Sequence, residues 1–93
     1  MNIWKFPLLD TDIQTVNMPQ GAKIIALQIQ YGTPALWAEV NPDAPANENR
    51  VIECFGTGQH IHCGMGVERV YLGTVQMHGG SLVLHFYERT GGL

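Results

Sequence analysis

Charge is scarce in this chain. Only 14% of its 93 residues are charged, where an ordinary soluble domain carries roughly 25%. A surface so poor in charge is commonly part-covered by another chain, so a homo-oligomer is expected. The five basic residues (Lys5, Lys23, Arg50, Arg69 and Arg89) stand well apart against eight acids. Without a basic run or stripe, a nucleic-acid polymer is not the expected partner. Long apolar runs are also missing, and none exceeds the length of Ile24 to Leu27. That length is far short of a membrane span. The opening Met1-Asn2-Ile3-Trp4-Lys5-Phe6-Pro7 lacks the apolar stretch of a signal peptide. The expected location is therefore the cytoplasm, where Cys54 and Cys63 are reduced thiols and not a disulfide.

Catalytic patterns are sparse too. No CxxC pair is present. The triplet Gly56-Thr57-Gly58 lacks the Lys-Ser/Thr and helix of a P-loop. The closest carboxylates, Asp10 and Asp12, fall in an exposed turn, away from any acid–base pairing. No window of a dozen residues holds a 3.6-residue apolar period.

What the chain does have is a 45% apolar content spread along its length, enough for one core and one domain over residues 1–93. The apolar residues fall in short alternating runs broken by Gly, Pro and Asn, the pattern of an all-β domain. Ile3 to Leu8 places Trp4, Phe6 and Leu8 on one side, with Pro7 marking an edge strand. Asp12 to Met18 follows, ending in a turn at Met18-Pro19-Gln20-Gly21. Ala22 to Tyr31 groups Ile25, Leu27 and Ile29. Gly32-Thr33 then turns the chain into Pro34 to Val40, where Leu36, Ala38 and Val40 oppose Trp37. Asn41 to Arg50, rich in proline and asparagine, reads as a solvated, poorly ordered loop. Val51 to Phe55 is a further strand.

The clearest element is a C-terminal hairpin, Val67 to His78 and Ser81 to Arg89, around Gly79-Gly80. A two-residue loop there opposes Met77 to Leu82, Val75 to Leu84 and Gly73 to Phe86 on one apolar face. Gln76 with Val83, Thr74 with His85 and Leu72 with Tyr87 form the other. The predicted fold is a small antiparallel sandwich or partly open barrel of about six or seven strands. The mixed hairpin face makes Leu72, Val83, His85 and Tyr87 candidate interface residues. Trp37 joins them because it lies opposite its own strand's apolar side.

One passage is unusual. Residues Gly56 to Gly66, GTGQHIHCGMG, hold four glycines, two histidines and a cysteine. Glycines allow a backbone to approach a ligand closely, and loops carry function more often than the strands they join. Gly56, Thr57, Gly58, His60 and His62, with Arg50 and Arg69 as cations, are the candidate ligand-binding residues for a small anion. The plain alternative is a connector without a ligand. His60, His62 and Cys63 resemble metal ligands by type, yet their spacing fits no zinc module. No metal or other cofactor is expected. A Cys63 thiolate beside histidines would need a geometry that sequence neighbours seldom have.

The segments Ile3-Trp4-Lys5-Phe6-Pro7-Leu8, Met18-Pro19-Gln20-Gly21-Ala22-Lys23-Ile24, Leu36-Trp37-Ala38, Phe55-Gly56-Thr57-Gly58 and Tyr71-Leu72-Gly73-Thr74-Val75-Gln76, with Gly79-Gly80-Ser81-Leu82-Val83, resemble a family of small uncharacterised proteins encoded by bacteriophages and prophages. The resemblance runs over nearly the whole chain and brings no assigned activity. His60, His62 and Cys63 lie where such proteins vary, a further argument against a metal. The implied context is an accessory protein in the host cytoplasm that binds and blocks a host or defence protein. The alternatives are a sponge for a small cyclic-nucleotide defence signal and, from another class, a small metal- or thiol-dependent hydrolase.

Overall fold

The alternating runs form strands throughout. In a computed structural model that describes residues 1–64 and 66–91, the strands are β1 (Asn2–Pro7), β2 (Ile13–Met18), β3 (Lys23–Gln30), β4 (Thr33–Val40), β5 (Glu48–Gly56), β6 (Glu68–Met77) and β7 (Leu82–Gly91). They make two antiparallel sheets, β1-β4-β3 and β2-β5-β7-β6. The sheets do not close into a barrel; a sandwich is the form adopted.

Alternation decides which side chains enter the core. Leu36, Ala38 and Val40 of β4 are buried against Met18, Ile52 and Phe86 of the other sheet. β3 and β6 run alongside each other at one margin. Gly73 makes that approach possible, since a Cβ there would lie 3.1 Å from Leu27 Cδ2. Pro7 sits on β1, an edge strand as expected.

Several details depart from the sequence reading, each for a local reason. A β-bulge between Ile24 and Ala26 shifts the phase of β3, so Ile24 packs on the core with Leu27 and Ile29 while Ile25 turns outward. The turn after β2 is displaced by one residue. Ala22 N–H donates to the Pro19 carbonyl, and Gly21 takes the positive φ. Tyr31 and Gly32, both at positive φ, form the β3–β4 turn, and Gln30 pairs with Thr33. The C-terminal hairpin keeps its expected register from Gly73–Phe86 to Met77–Leu82. Its loop runs through a short 3₁₀ turn, His78–Gly80, and is longer than two residues.

The connection from Asn41 is better shaped than its composition suggests. Strand β5 already begins at Glu48. Asp43 N–H donates to Asn41 Oδ1 at 3.0 Å, and Gln20 N–H donates to the Pro45 carbonyl at 2.8 Å. The segment is pinned to the β2–β3 turn by these bonds and by Gly21 N–H on Glu48 Oε1.

An aromatic face on the four-stranded sheet

On the side of the four-stranded sheet away from the core, three cross-strand rows follow from the register. Val51 pairs with Arg89 and Arg89 with Arg69; Glu53 pairs with Tyr87 and Tyr87 with Tyr71; Phe55 pairs with His85 and His85 with Thr74. A second bulge, between Tyr71 and Gly73, changes the predicted row. Leu72 leaves the outer face and packs against the core, and Tyr71 takes its place opposite Tyr87. Leu72 is therefore partly buried against the core and not on the outer face expected of it.

An outward carboxylate in mid-sheet ordinarily meets water, yet the Glu53 side chain is only 9% exposed. Arg69 Nε donates to Glu53 Oε1 at 2.7 Å, and Arg89 Nη1 lies 3.7 Å from Glu53 Oε2. Arg69 also donates from Nη1 to the His62 carbonyl at 2.8 Å, so the loop after β5 is tied to the sheet through it. The Arg69 guanidinium stands 5.4 Å from the Phe55 ring centroid. Its hydrogen bond to Glu53 raises its affinity for its proton above that of a free arginine.

A hydrogen-bonded chain crosses the same face. Tyr71 Oη contacts Thr74 Oγ1, Thr74 Oγ1 lies 2.9 Å from His85 Nδ1, and His85 Nε2 lies 2.8 Å from Thr57 Oγ1. The Tyr87 ring packs edge-on to Phe55 at 5.8 Å and tilted against Tyr71 at 5.4 Å. Tyr71 nevertheless remains 55% exposed.

The candidate ligand residues do not assemble as one site. Gly56 N–H donates to Gln59 Oε1, Thr57 N–H to the Val83 carbonyl, and Gln59 N–H to the Gly56 carbonyl. The start of the glycine loop thus uses its amides internally and does not present them as a row to an anion. Gly58 takes a positive φ at the turn, and His60 is exposed. The His62 ring lies against Gly64, where a Cβ would come within 2.6 Å of Nε2. Cys63 is an exposed thiol; Met65, within the same loop, lies outside the described residues. Among the described residues no group of three or more His, Cys, Asp or Glu is placed to hold a metal ion.

Arg50 is separated from this loop altogether. It faces the core side of β5, where Nη2 donates to Glu88 Oε1 at 3.0 Å and Nη1 to the Ala22 carbonyl at 2.9 Å. Gly56 is six positions along the strand, roughly 20 Å away. Arg50 is thus a half-buried structural cation whose proton the Glu88 hydrogen bond holds more tightly, and not a neighbour of Arg69. Trp37 is half-buried on the other sheet, between Lys5 and Ala26, and does not join Tyr87. Val83, His85 and Tyr87 do share one face.

Glu53, Phe55, Tyr71, Thr74 and Arg89 were not singled out by the sequence. The signal for Glu53 was nevertheless present: an acid alternating with Val51 and Phe55, with two arginines on later strands.

A family model described as a domain of unknown function, DUF7352, matches residues 1–92. The chain belongs to the DUF7352 family. No curated protein and no solved structure matches it. Membership in DUF7352 assigns no activity, so function has to be argued from the face itself. Among the described residues no helix is long and apolar enough to cross a membrane.

Proposed function

We propose that this DUF7352 protein is a non-enzymatic binding protein, and that it docks a host or defence protein on the outer face of its four-stranded sheet. The observation that carries the reading is Tyr71: more than half exposed, yet held by Thr74 and by the Tyr87 ring. A tyrosine already fixed in place loses little entropy when a partner covers it, which is why rigid aromatics serve as binding anchors. Val83 and His85 extend the same surface. The blocking role and the phage setting rest on the family resemblance.

The nucleotide-sponge reading draws less support. Arg50 is committed to Glu88 and Arg69 to Glu53, so neither is held ready for a phosphate. For hydrolysis, the Thr57–His85 pair has a suitable distance, but the group orienting His85 is the Thr74 hydroxyl. A carboxylate in that position would stabilise an imidazolium; a neutral hydroxyl does so poorly.

The test compares three tagged proteins expressed in a bacterial host: wild type, Tyr71→Ser and Trp37→Ser. Co-purifying proteins are quantified by mass spectrometry. A partner lost with Tyr71→Ser and retained with Trp37→Ser supports the reading. Loss with Trp37→Ser alone moves the working surface to the other sheet and overturns it.

A further inference from the structure

We infer that the free edge of β1 pairs antiparallel with β1 of a second copy, about a two-fold axis passing at Trp4. This surface belongs to the three-stranded sheet and is independent of the face proposed above.

Strand β1 pairs only with β4 among the described residues, so one side of its backbone is open. The phase of that side follows from one bond, Leu8 N–H to the Pro34 carbonyl at 2.9 Å. Alternate residues of an antiparallel strand face the same neighbour. Asn2, Trp4, Phe6 and Leu8 therefore direct their backbone groups to β4, while Ile3, Lys5 and Pro7 direct theirs outward. Pro7 lacks an N–H, but it lies at the strand end, and Ile3 and Lys5 each offer both a donor and an acceptor.

Open edges are normally guarded by a lysine projecting into the approach path. Here the guard is turned away. Lys5 Nζ donates to Gln30 Oε1 at 2.8 Å, reaching across β4 to β3 and away from the edge. The side chains at the edge are apolar: Ile3 is 60% exposed. Trp4 lies opposite fully buried Ala38 on the core side of the sheet, yet it is still 39% exposed. β3, at the opposite margin of the same sheet, is covered by β6.

Three registers suit the outward backbone groups. Centring on Lys5 opposes two lysines, and centring on Ile3 sets Trp4 against Asn2. Centring on Trp4 brings the two indoles together in the close, non-hydrogen-bonded position and places Ile3 across from the second copy's Lys5. That register sets the two partly exposed indoles against each other and opposes no like charges. It joins two three-stranded sheets into one continuous sheet of six.

Charge substitutions at Ile3 test the register, because the side chain is exposed and its own cross-strand neighbour Glu39 acts on monomer and dimer alike. Sedimentation velocity across the micromolar range is run on wild type, Ile3→Glu and Ile3→Lys, each with a circular dichroism spectrum to verify folding. Wild type is expected to dimerise reversibly. Ile3→Glu, facing Lys5, should bind itself at least as tightly as wild type; Ile3→Lys should be weaker than Ile3→Glu by about tenfold in Kd, since symmetry presents the pair twice. Trp4 emission should shift to the blue as the dimer forms. Equal weakening by both charges overturns the register in favour of a plain apolar contact, and a wild type that stays monomeric overturns the inference.

Discussion

Replacing Glu53 by Gln keeps the side-chain shape and removes the charge between Arg69 and Arg89. Oε1 accepts from Arg69 Nε at 2.7 Å, a charge-assisted bond, and the carboxylate is 9% exposed. A hydrogen bond to a charged group contributes about 1.5–3 kcal/mol. Arg89 at 3.7 Å adds less, because its side chain keeps 20% exposure and solvent screens it. The variant also takes from the Arg69 guanidinium the carboxylate it is bonded to. The expected loss is about 2 kcal/mol, which in a domain of this size lowers Tm by roughly 8–16 °C. Urea unfolding followed by circular dichroism reads it. Arg69→Met on its own should be comparably damaging, and the double variant should cost less than the sum. Because Arg69 also holds the His62 carbonyl, amide exchange in the loop after β5 should rise in both single variants. A Glu53→Gln protein within about 0.5 kcal/mol of wild type, an ordinary surface value, would refute the view that this cluster organises the face.

The remaining expectations are simpler. Ellman's reagent should titrate the exposed Cys63 in the native protein and Cys54 only after unfolding. Burial pushes the Cys54 thiol up, with Asp10 and Asp12 adding to it, so the native state keeps that proton longer than the unfolded chain. The thiol's contribution to stability is then complete below its ordinary range, about pH 8.5, and is lost as pH rises from there through the raised native value; a Cys54→Ala variant should lose this alkaline slope in Tm. Gly73→Ala should cost about 1–3 kcal/mol in urea unfolding, the usual range for overpacking, since the new methyl meets Leu27. EDTA should leave Tm within about a degree, because the core is assembled from apolar strands.

Alternation makes the strands and the hairpin register readable in the sequence, because side-chain period and backbone pairing share one phase. Bulges broke that legibility. The extra residue at Ile25 and the one at Leu72 each invert the faces beyond them; nothing in the local composition marks the first, and only the isolated Gly73 marks the second. Val83, His85 and Tyr87 were legible as a surface because they lie on the unbulged strand β7. Tyr71 was not, because the bulge at Leu72 is what brings it to the outer face, and Glu53 was not, because its burial depends on Arg69 and Arg89 of two later strands meeting it, a tertiary event. Arg50 and Arg69 looked equivalent in sequence because each sits near the glycine loop. Strand parity and length separate them, one to the core side with Glu88 and the other to the outer face with Glu53.

The central claim is that a protein partner covers Tyr71, and a photo-crosslinking amino acid placed at that position tests it most directly. The chain carrying the crosslinker at position 71, or at position 37 as a control, is irradiated in living bacterial cells and resolved by mass. The account predicts a discrete adduct with a different protein from position 71 and none from position 37. An adduct from position 37 alone, or from position 71 only at twice the mass of the chain, would contradict it.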